Sequence, residues 1–577
     1  MLWRVKDFKG LKNAEIDIRP GKATILTGVN SSGKSSVIQS LLLAAQSLHG
    51  ENQMTLNGPL VRLGNAQDLV RNGANRGAIE LTMGLAGDDE GINEWASQAV
   101  FDLIPADEHS TLRTQRLQIG PADDGELWLN MSRDNARASD VALVMDVTTE
   151  MGPRDVLHMK SLLRNKRRQL RTYVVMKGLR PVAVVQLMKP DEVAKRYRTL
   201  LDGLLQGREN AFDNAVSTTT ARLGGTAFVR EFVRLFSEAD TGNDSRIKLF
   251  AGARQGNPYA FDSAWKKLDR DERQTLIERA VFARQQRPYV VLRIRRHARV
   301  FGGVDGLLES HLADTLGSTY EVLYSLSTTL DTFMNRVQYL GPLRDEPRVV
   351  WNHWNELARG LPVGTRGEYS AAVLSRSNSS LVQYVAPGHV KTTAALSQAV
   401  NEWLAYLDIG DAVAARSHSK LGVGLDLRVN GQVRDLTSVG VGVSQALPLL
   451  IGILTSPRES IFIVEQPELH LHPAVQARLA DFMLEARPDL TLIIETHSEA
   501  FITRIRRRAA EGKLNVSDID ITFVEPSKGG SSARILEVSE FGDLSEWPEG
   551  FLSAAEEDIR AILKANIARS LEATDAY

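Results

Sequence analysis

The 577-residue chain combines 43% hydrophobic with 24% charged residues and a formal net charge of −2, the make-up of a globular protein too long for one simple core. It contains no cysteine, which excludes disulfides, thiol nucleophiles and cysteine-ligated zinc or iron–sulfur sites. No apolar run reaches membrane-spanning length and residues 1–7 lack the apolar stretch of a signal peptide, so a cytoplasmic protein with no membrane partner is expected.

Taken in order, residues 3–19 alternate apolar and polar positions (Val5, Phe8, Leu11, Ile16, Ile18) and predict a β-hairpin. An apolar strand over 23–27 then runs into Gly28-Val29-Asn30-Ser31-Ser32-Gly33-Lys34-Ser35, and a strongly apolar helix is expected from Ser36 to Leu48. Glycine, four residues, glycine, lysine and serine between a strand and a helix is the P-loop pattern. Gly28 and Gly33 let the backbone wrap closely around a triphosphate, with the N–H groups of Asn30, Ser31, Ser32 and Ser36 available nearby. Lys34 can reach the outer phosphates, and the Ser35 hydroxyl can hold Mg²⁺. Binding of a nucleoside triphosphate follows.

Residues 50–83 are turn-rich, and 97–149 hold β-like runs, among them 127–129 and 141–147, consistent with an antiparallel sheet on a nucleotide-binding core. A first lobe is thus expected over 1–150. The next segment, 151–335, is built differently: up to residue 300 it carries 31 Lys+Arg against 15 Asp+Glu. It reads as a mixed α+β insert with strands at 172–176, 182–187 and 289–300. Its expected helices span 191–206, 226–238, 262–286 and 305–334, with no sustained heptads. If 164–171 is helical, Arg164, Arg167, Arg168 and Arg171 line one face; strand alternation puts Arg293, Arg295 and Arg299 on one side of 289–300. Both rows suit duplex DNA or an acidic protein partner, against the plainer reading of a solvated face.

The remaining lobe, 336–577, opens with Val337 to Arg344 (VQYLGPLR), then Gly- and Ser-rich loops and a helix expected at 393–407. A small-residue turn, Thr437-Ser438-Val439-Gly440-Val441-Gly442-Val443-Ser444-Gln445, precedes another apolar helix. The apolar strand 461–464 ends in Glu465-Gln466-Pro467-Glu468-Leu469-His470-Leu471-His472-Pro473, a Walker B arrangement whose acid binds Mg²⁺. A further apolar strand, 490–494, leads into Glu495-Thr496-His497-Ser498.

As a set, these motifs resemble the α/β ABC-type ATPase head, and more closely its OLD/RecF-like branch. Leu340 to Pro347 (LGPLRDEP) and Gly542 to Phe551 look like a subgroup of bacterial ATPases of anti-phage defence systems, the Septu ATPase subunit being another relative. The resemblance covers about 1–85 and 335–555. It implies that two heads pair and sandwich two ATP molecules, with Ser438, Gly440, Gly442 and Ser444 touching the partner's γ-phosphate. It also implies that His497 senses that phosphate, that Gln67, beside Asp68, completes the Mg²⁺ site, and that His470 and His472 lie on a dimer-facing loop.

One departure stands out. Glu465 takes the place of the usual metal-binding aspartate and Gln466 that of the catalytic glutamate. A glutamine orients water but accepts no proton near neutral pH, so either Glu468 is the base or hydrolysis is slow. No paired-aspartate nuclease motif or histidine-cluster nuclease motif follows His497, and Glu511-Gly512-Lys513 fits a nuclease pattern only trivially. Any toxic effector is then a separate protein. Arg504, Arg506, Arg507 and Arg508 form a third basic cluster, a candidate partner surface. Three readings follow: an ATP-operated sensor and scaffold of a defence complex, a RecF/SMC-like DNA-binding ATPase in repair or chromosome maintenance, and an ATP-bound structural subunit.

Overall fold

The computed structural model describes residues 1–49, 54–74, 76–84, 96–105, 111–121, 129–134, 136–151, 155–161, 171–206, 225–238, 244–295, 303–350, 363–418, 421–548 and 561–566. Apolar runs of four or five residues with no alternation require a sheet covered on both faces, and three of them sit at its centre. In spatial order the strands Val337–Leu340, Ile461–Glu465, Thr491–Glu495, Ala23–Gly28 and Ile519–Ser527 run parallel to one another. The P-loop strand is thus separated from the Glu465 strand by the Glu495 strand. Ligands of such sheets bind beyond the carboxyl ends of the strands, and the P-loop, Glu465 and Glu495 all lie at that edge.

From the parallel core the sheet continues outward. Ile519–Ser527 pairs antiparallel with Gly530–Leu536, which meets Leu11–Asp17 in parallel; the expected hairpin, Leu2–Phe8 with Leu11–Asp17, follows in antiparallel register. Beyond it come Gly77–Gly84, Ala96–Pro105, Thr111–Pro121, Leu129–Ser132, Asp155–Ser161, Arg171–Lys177, Arg180–Leu187 and Tyr289–Arg293, each antiparallel to its neighbour. Among the described residues seventeen strands share this one sheet, so the strands of the basic segment extend the sheet of the first lobe across residue 151.

The helix after the P-loop, Lys34–His49, is apolar because it is covered on both sides. Trp3 donates its indole N–H to Ser40 Oγ at 3.0 Å and stacks on Phe333 of the helix Ser318–Arg336, with ring centroids 5.4 Å apart. A second core joins the helices Leu396–Leu407, Val441–Thr455 and Pro473–Glu485, with Trp403 edge-on to Phe482 at 5.1 Å. A third cluster of rings, Phe232, Phe236, Phe250, Phe261 and Trp265, holds the helices of the basic segment together.

Several elements differ from expectation. Residues 141–147 lie not in a strand but in the helix Ala138–Val147. The apolar run misled because Asp140 and Val144, four apart and both buried, give the face that packs inward. The helix expected at 262–286 is two, Pro258–Trp265 and Arg270–Gln285, because Asp269 and Glu272 form a capping box that starts the second. That expected at 305–334 breaks at Gly317 (φ +51°) into Gly303–Leu316 and Ser318–Arg336. Residues 390–395, partly read as helix, form the strand Val390–Ala395. Leu127 and Trp128 lie outside the described residues.

Candidate nucleotide site

Gly28 has φ +140°, and a Cβ there would lie 2.1 Å from Val524 O, so the start of the loop admits only glycine. Ser31 (φ +60°) and Gly33 (φ +99°) continue the tight turn. Asn30 and Ser31 are exposed; Ser32 is fully buried, and its hydroxyl has no hydrogen-bond partner. Lys34 opens the helix Lys34–His49, whose first-turn N–H groups lack helical acceptors, although Ser36 N–H bonds Gly33 O at 2.9 Å. The Lys34 ammonium is almost wholly buried and donates to Gly28 O at 3.1 Å and Val29 O at 2.7 Å. Burial holds its pKa below the ordinary lysine value, with only a partial offset from Glu495. A buried cation with neutral oxygen partners and a buried hydroxyl with none form a cradle that an anion would complete.

Glu465 and Glu495 stand opposite one another in register, at the ends of neighbouring parallel strands. Ser35 donates its hydroxyl to both oxygens of Glu495, at 3.0 and 2.9 Å. Tyr339 donates to Glu465 Oε1 at 2.6 Å, and Arg344 donates to the Glu465 backbone carbonyl at 3.3 Å. Burial raises the pKa of both carboxyls, and their proximity pushes Glu495 up to about 7. Hard oxygen donors from two carboxylates and a hydroxyl fit Mg²⁺. Sequence reasoning did not single out Glu495 as a site residue; its signal was the same one that found Glu465, a carboxylate closing an apolar strand. Tyr339 and Arg344 were likewise missed, being set by packing alone.

Gln466 adopts a left-handed conformation (φ +45°) and its N–H bonds Glu495 O at 2.7 Å. Glu468 is buried, accepts the His497 N–H on Oε1 at 2.7 Å, and keeps Oε2 without a partner. Burial raises its pKa above the usual carboxylate range, whereas partial burial and the Lys34 charge lower that of His497. The His497 backbone is fixed by its neighbours: Thr496 N–H bonds Leu26 O at 3.0 Å, and Ser498 Oγ donates to Gln476 Oε1 at 2.6 Å. A cleft of about 790 Å³ opens along this edge, lined in part by Gln466, Glu468, His470, Gln476 and His497. The structure therefore brings Lys34, Ser35, Glu465, Glu468 and His497 to one edge.

The small-residue turn takes another form. Ser438 ends a 3-10 turn, Leu436–Ser438, and donates to Asp435 Oδ2 at 3.0 Å; Gly440 caps the helix Val441–Thr455 and is exposed. Ser444 is buried and donates to Val441 O at 2.7 Å. A Cβ on Gly442 would lie 3.0 Å from His470 O, so this glycine lets the helix start pack against the His470 loop of its own chain. His472 caps the helix Pro473–Glu485. Gln67 is exposed on the turn Ala66–Leu69, which is anchored by Ala66 and Leu69.

Of the two basic rows, Arg171 and Arg293 are engaged within the chain. Arg164, Arg167, Arg168 and Arg299 lie outside the described residues. Arg171 ion-pairs with Asp140, and Arg293 with Glu150. Arg295 is exposed, and its N–H bonds the Tyr320 hydroxyl at 3.2 Å. In the cluster at 504–508 the arginines are also engaged, although Arg507 stays exposed. Arg504 and Arg508 meet Asp481 at 2.9 and 2.7 Å, Arg506 lies over the Trp547 ring, and Arg507 pairs with Glu511 at 2.6 Å. Asp481 is buried and also accepts the Tyr406 hydroxyl at 2.7 Å. Asp481→Ala is expected to strand the Arg504 guanidinium, to leave Arg508 with Glu511 as its close acidic partner, and to destabilise the fold by about 3–5 kcal/mol, read as a lowered midpoint in urea unfolding. A loss below about 1 kcal/mol would return these arginines to the surface.

Residues 303–503 match the family described as "AAA domain, putative AbiEii toxin, Type IV TA system", and residues 514–562 one described as "Protein of unknown function (DUF3696)". The first match holds the Glu465 and Glu495 strands; the P-loop lies outside it. A search of curated proteins finds no match. Among solved structures, the chain is similar to the Smc head domain with an extended coiled coil, bound to the C-terminal domain of ScpA, from Pyrococcus furiosus. The identity is 12%, covering 93% of this chain and 96% of that one, with a TM-score of 0.33. It is also similar to the SMC head domain from Thermotoga maritima, with 9% identity over 93% and 98% and a TM-score of 0.32. The strand order, the P-loop and the AAA match give an α/β P-loop fold of the ABC ATPase type. Among the described residues, no helix is long and apolar enough to cross a membrane.

Proposed function

We propose that the chain binds and hydrolyses ATP and pairs head to head with a second copy when ATP is bound. The observation that carries this reading is Lys34, a buried cation whose hydrogen-bond acceptors are two backbone carbonyls at the mouth of a P-loop. A triphosphate replaces those weak partners with full charges. Ser35 and Glu465 would hold Mg²⁺, which neutralises charge on the phosphates. Glu468, not Gln466, is the proposed base: Oε1 is anchored by His497 N–H, and Oε2, buried with no hydrogen-bond partner, is the atom proposed to take a proton from a water admitted with the nucleotide. Gln466 and His497 line the same cleft and are proposed to orient that water and the outer phosphate.

Head pairing rests on the exposed start of the helix Val441–Thr455 and on two aliphatic side chains, Val29 at the P-loop and Val441, each nearly half exposed. Ser438 and Gly440, both exposed, are proposed to meet a phosphate held by the other copy, with Gly442 and Ser444 acting by packing. Residues 1–150 and 336–577 are proposed as the two lobes of the head. The segment 151–335 adds strands and helices that give this ATPase its own partner surface. We further propose a sensor and scaffold role in a defence complex with a separate effector, supported by the type IV toxin–antitoxin system named in the description of the family matching residues 303–503. Arg171 and Arg293 are already paired with acids, which favours a protein over duplex DNA as the partner.

Light scattering on the full chain tests the pairing. A twofold rise in mass is expected with ATP and Mg²⁺, and none with ADP. A chain that binds ATP yet keeps one mass throughout would remove the sandwich.

A further inference from the structure

The P-loop serine, the expected cation ligand, is held by both oxygens of a glutamate 460 residues away, at 3.0 and 2.9 Å. That glutamate, Glu495, stands in register with Glu465. Adjacent parallel strands lie about 4.8 Å apart, so the two carboxylates leave the sheet side by side at the same level. Both residues are more than nine-tenths buried, and among the described residues neither forms an ion pair with a lysine, arginine or histidine. Lys34 turns its ammonium to Gly28 and Val29, and Arg344 reaches the Glu465 backbone rather than its carboxylate. When both are ionised, two buried carboxylates with no paired cation repel one another; a shared proton or a cation between them relieves this, and a divalent cation competes for the place of that proton. The loop carrying Ser35 also holds the fully buried, partnerless hydroxyl of Ser32, a sign that it is built around a ligand.

From this juxtaposition we infer that Glu495 is a direct ligand of the divalent cation, completing a site with Ser35 and Glu465 in the place expected for Gln67. The inference rests on the proposed nucleotide site and deepens it. Mg²⁺ sites with a single carboxylate depend on substrate phosphates for most of their charge. With two carboxylates and a hydroxyl on one edge, this site takes a divalent cation before nucleotide arrives. Gln67, on an exposed turn, is dispensable for it.

The test is Mn²⁺ binding to the full chain without nucleotide, followed by electron paramagnetic resonance of free Mn²⁺ near neutral pH. One Mn²⁺ per chain is expected, with affinity lowered at least tenfold in Glu495→Gln and in Ser35→Ala and unchanged within threefold in Gln67→Ala. Thermal unfolding of each variant reports whether it is folded. Should Glu495→Gln not fold, Glu495→Asp keeps the charge but shortens the reach, and it too is expected to weaken Mn²⁺. Unchanged affinity in a folded Glu495 variant, or no Mn²⁺ bound by the wild type without nucleotide, overturns the inference. A fluorescent ATP analogue, titrated separately with and without Mg²⁺, keeps the two claims apart. Nucleotide binding with an indifferent Glu495 sinks only the cation ligand, whereas no nucleotide binding at all sinks the ATPase reading.

Discussion

Lys34→Ala is expected to abolish useful ATP binding while leaving the fold intact. Removing one partner of a buried, charge-assisted contact costs about 2–5 kcal/mol, or roughly 30- to 5000-fold in Kd. The fold should not suffer, because Lys34 is a desolvated cation bonded only to two carbonyls of its own loop. Deleting it removes an unfavourable burial along with those bonds, and those carbonyls remain beside the helix start. The measurement is calorimetric titration with a non-hydrolysable ATP analogue, paired with thermal unfolding. Wild type is expected to be stabilised by the analogue with Mg²⁺ and Lys34→Ala not to be, at closely similar unliganded midpoints. Binding retained within threefold would mean that the loop does not grip the phosphates through this lysine, and the functional reading would lose its chief support.

Glu468→Gln should lower kcat by about 10²–10⁴, the usual worth of a positioned general base, with ATP affinity nearly unchanged. The substitution discriminates well because glutamine can still accept the His497 N–H through its carbonyl oxygen, so the arrangement at His497 survives while the proton acceptor is lost. The raised pKa of Glu468 predicts that the wild-type rate climbs with pH through a range above that of an ordinary glutamate, and that the residual rate of Glu468→Gln loses that dependence. Such a profile separates a base from a residue that merely props His497. Gln466→Glu is the informative counterpart. Gln466 sits in a left-handed turn with its N–H tied to Glu495 O. A glutamate there adds a fourth carboxylate beside Glu465, Glu468 and Glu495, and no gain in turnover is expected. A sharp rise would instead restore Gln466 as the reason for a slow native rate and demote Glu468.

The paired arginines bear on what the basic segment is for. An excess of positive charge over 151–300 reads, by counting, as a polyanion-binding surface. In the fold, Arg171 and Arg293 are matched by Asp140 and Glu150, which precede the segment in sequence, and the arginines at 504 and 508 converge on Asp481. A charge count over a window cannot register acids contributed by other windows. The net field of the segment is therefore weaker than its composition implies, at least where it is described.

Sequence alone determined what is local. The P-loop between its strand and helix, the acid closing 461–464, the Thr-His-Ser turn after 490–494 and the hairpin at 2–17 are each contiguous. In each, glycine freedom, apolar continuity or strict alternation fixes the backbone without outside help. Tertiary structure decided everything that depends on which element lies beside which. Register placed Glu495 opposite Glu465 and against Ser35; packing buried Asp140 and so made 141–147 helical; the fold turned Gly442 into a contact for the His470 loop within its own chain. Periodicity reports which face of an element is apolar but not the neighbour that will cover it, and partners hundreds of residues apart meet only once strand order and register are set.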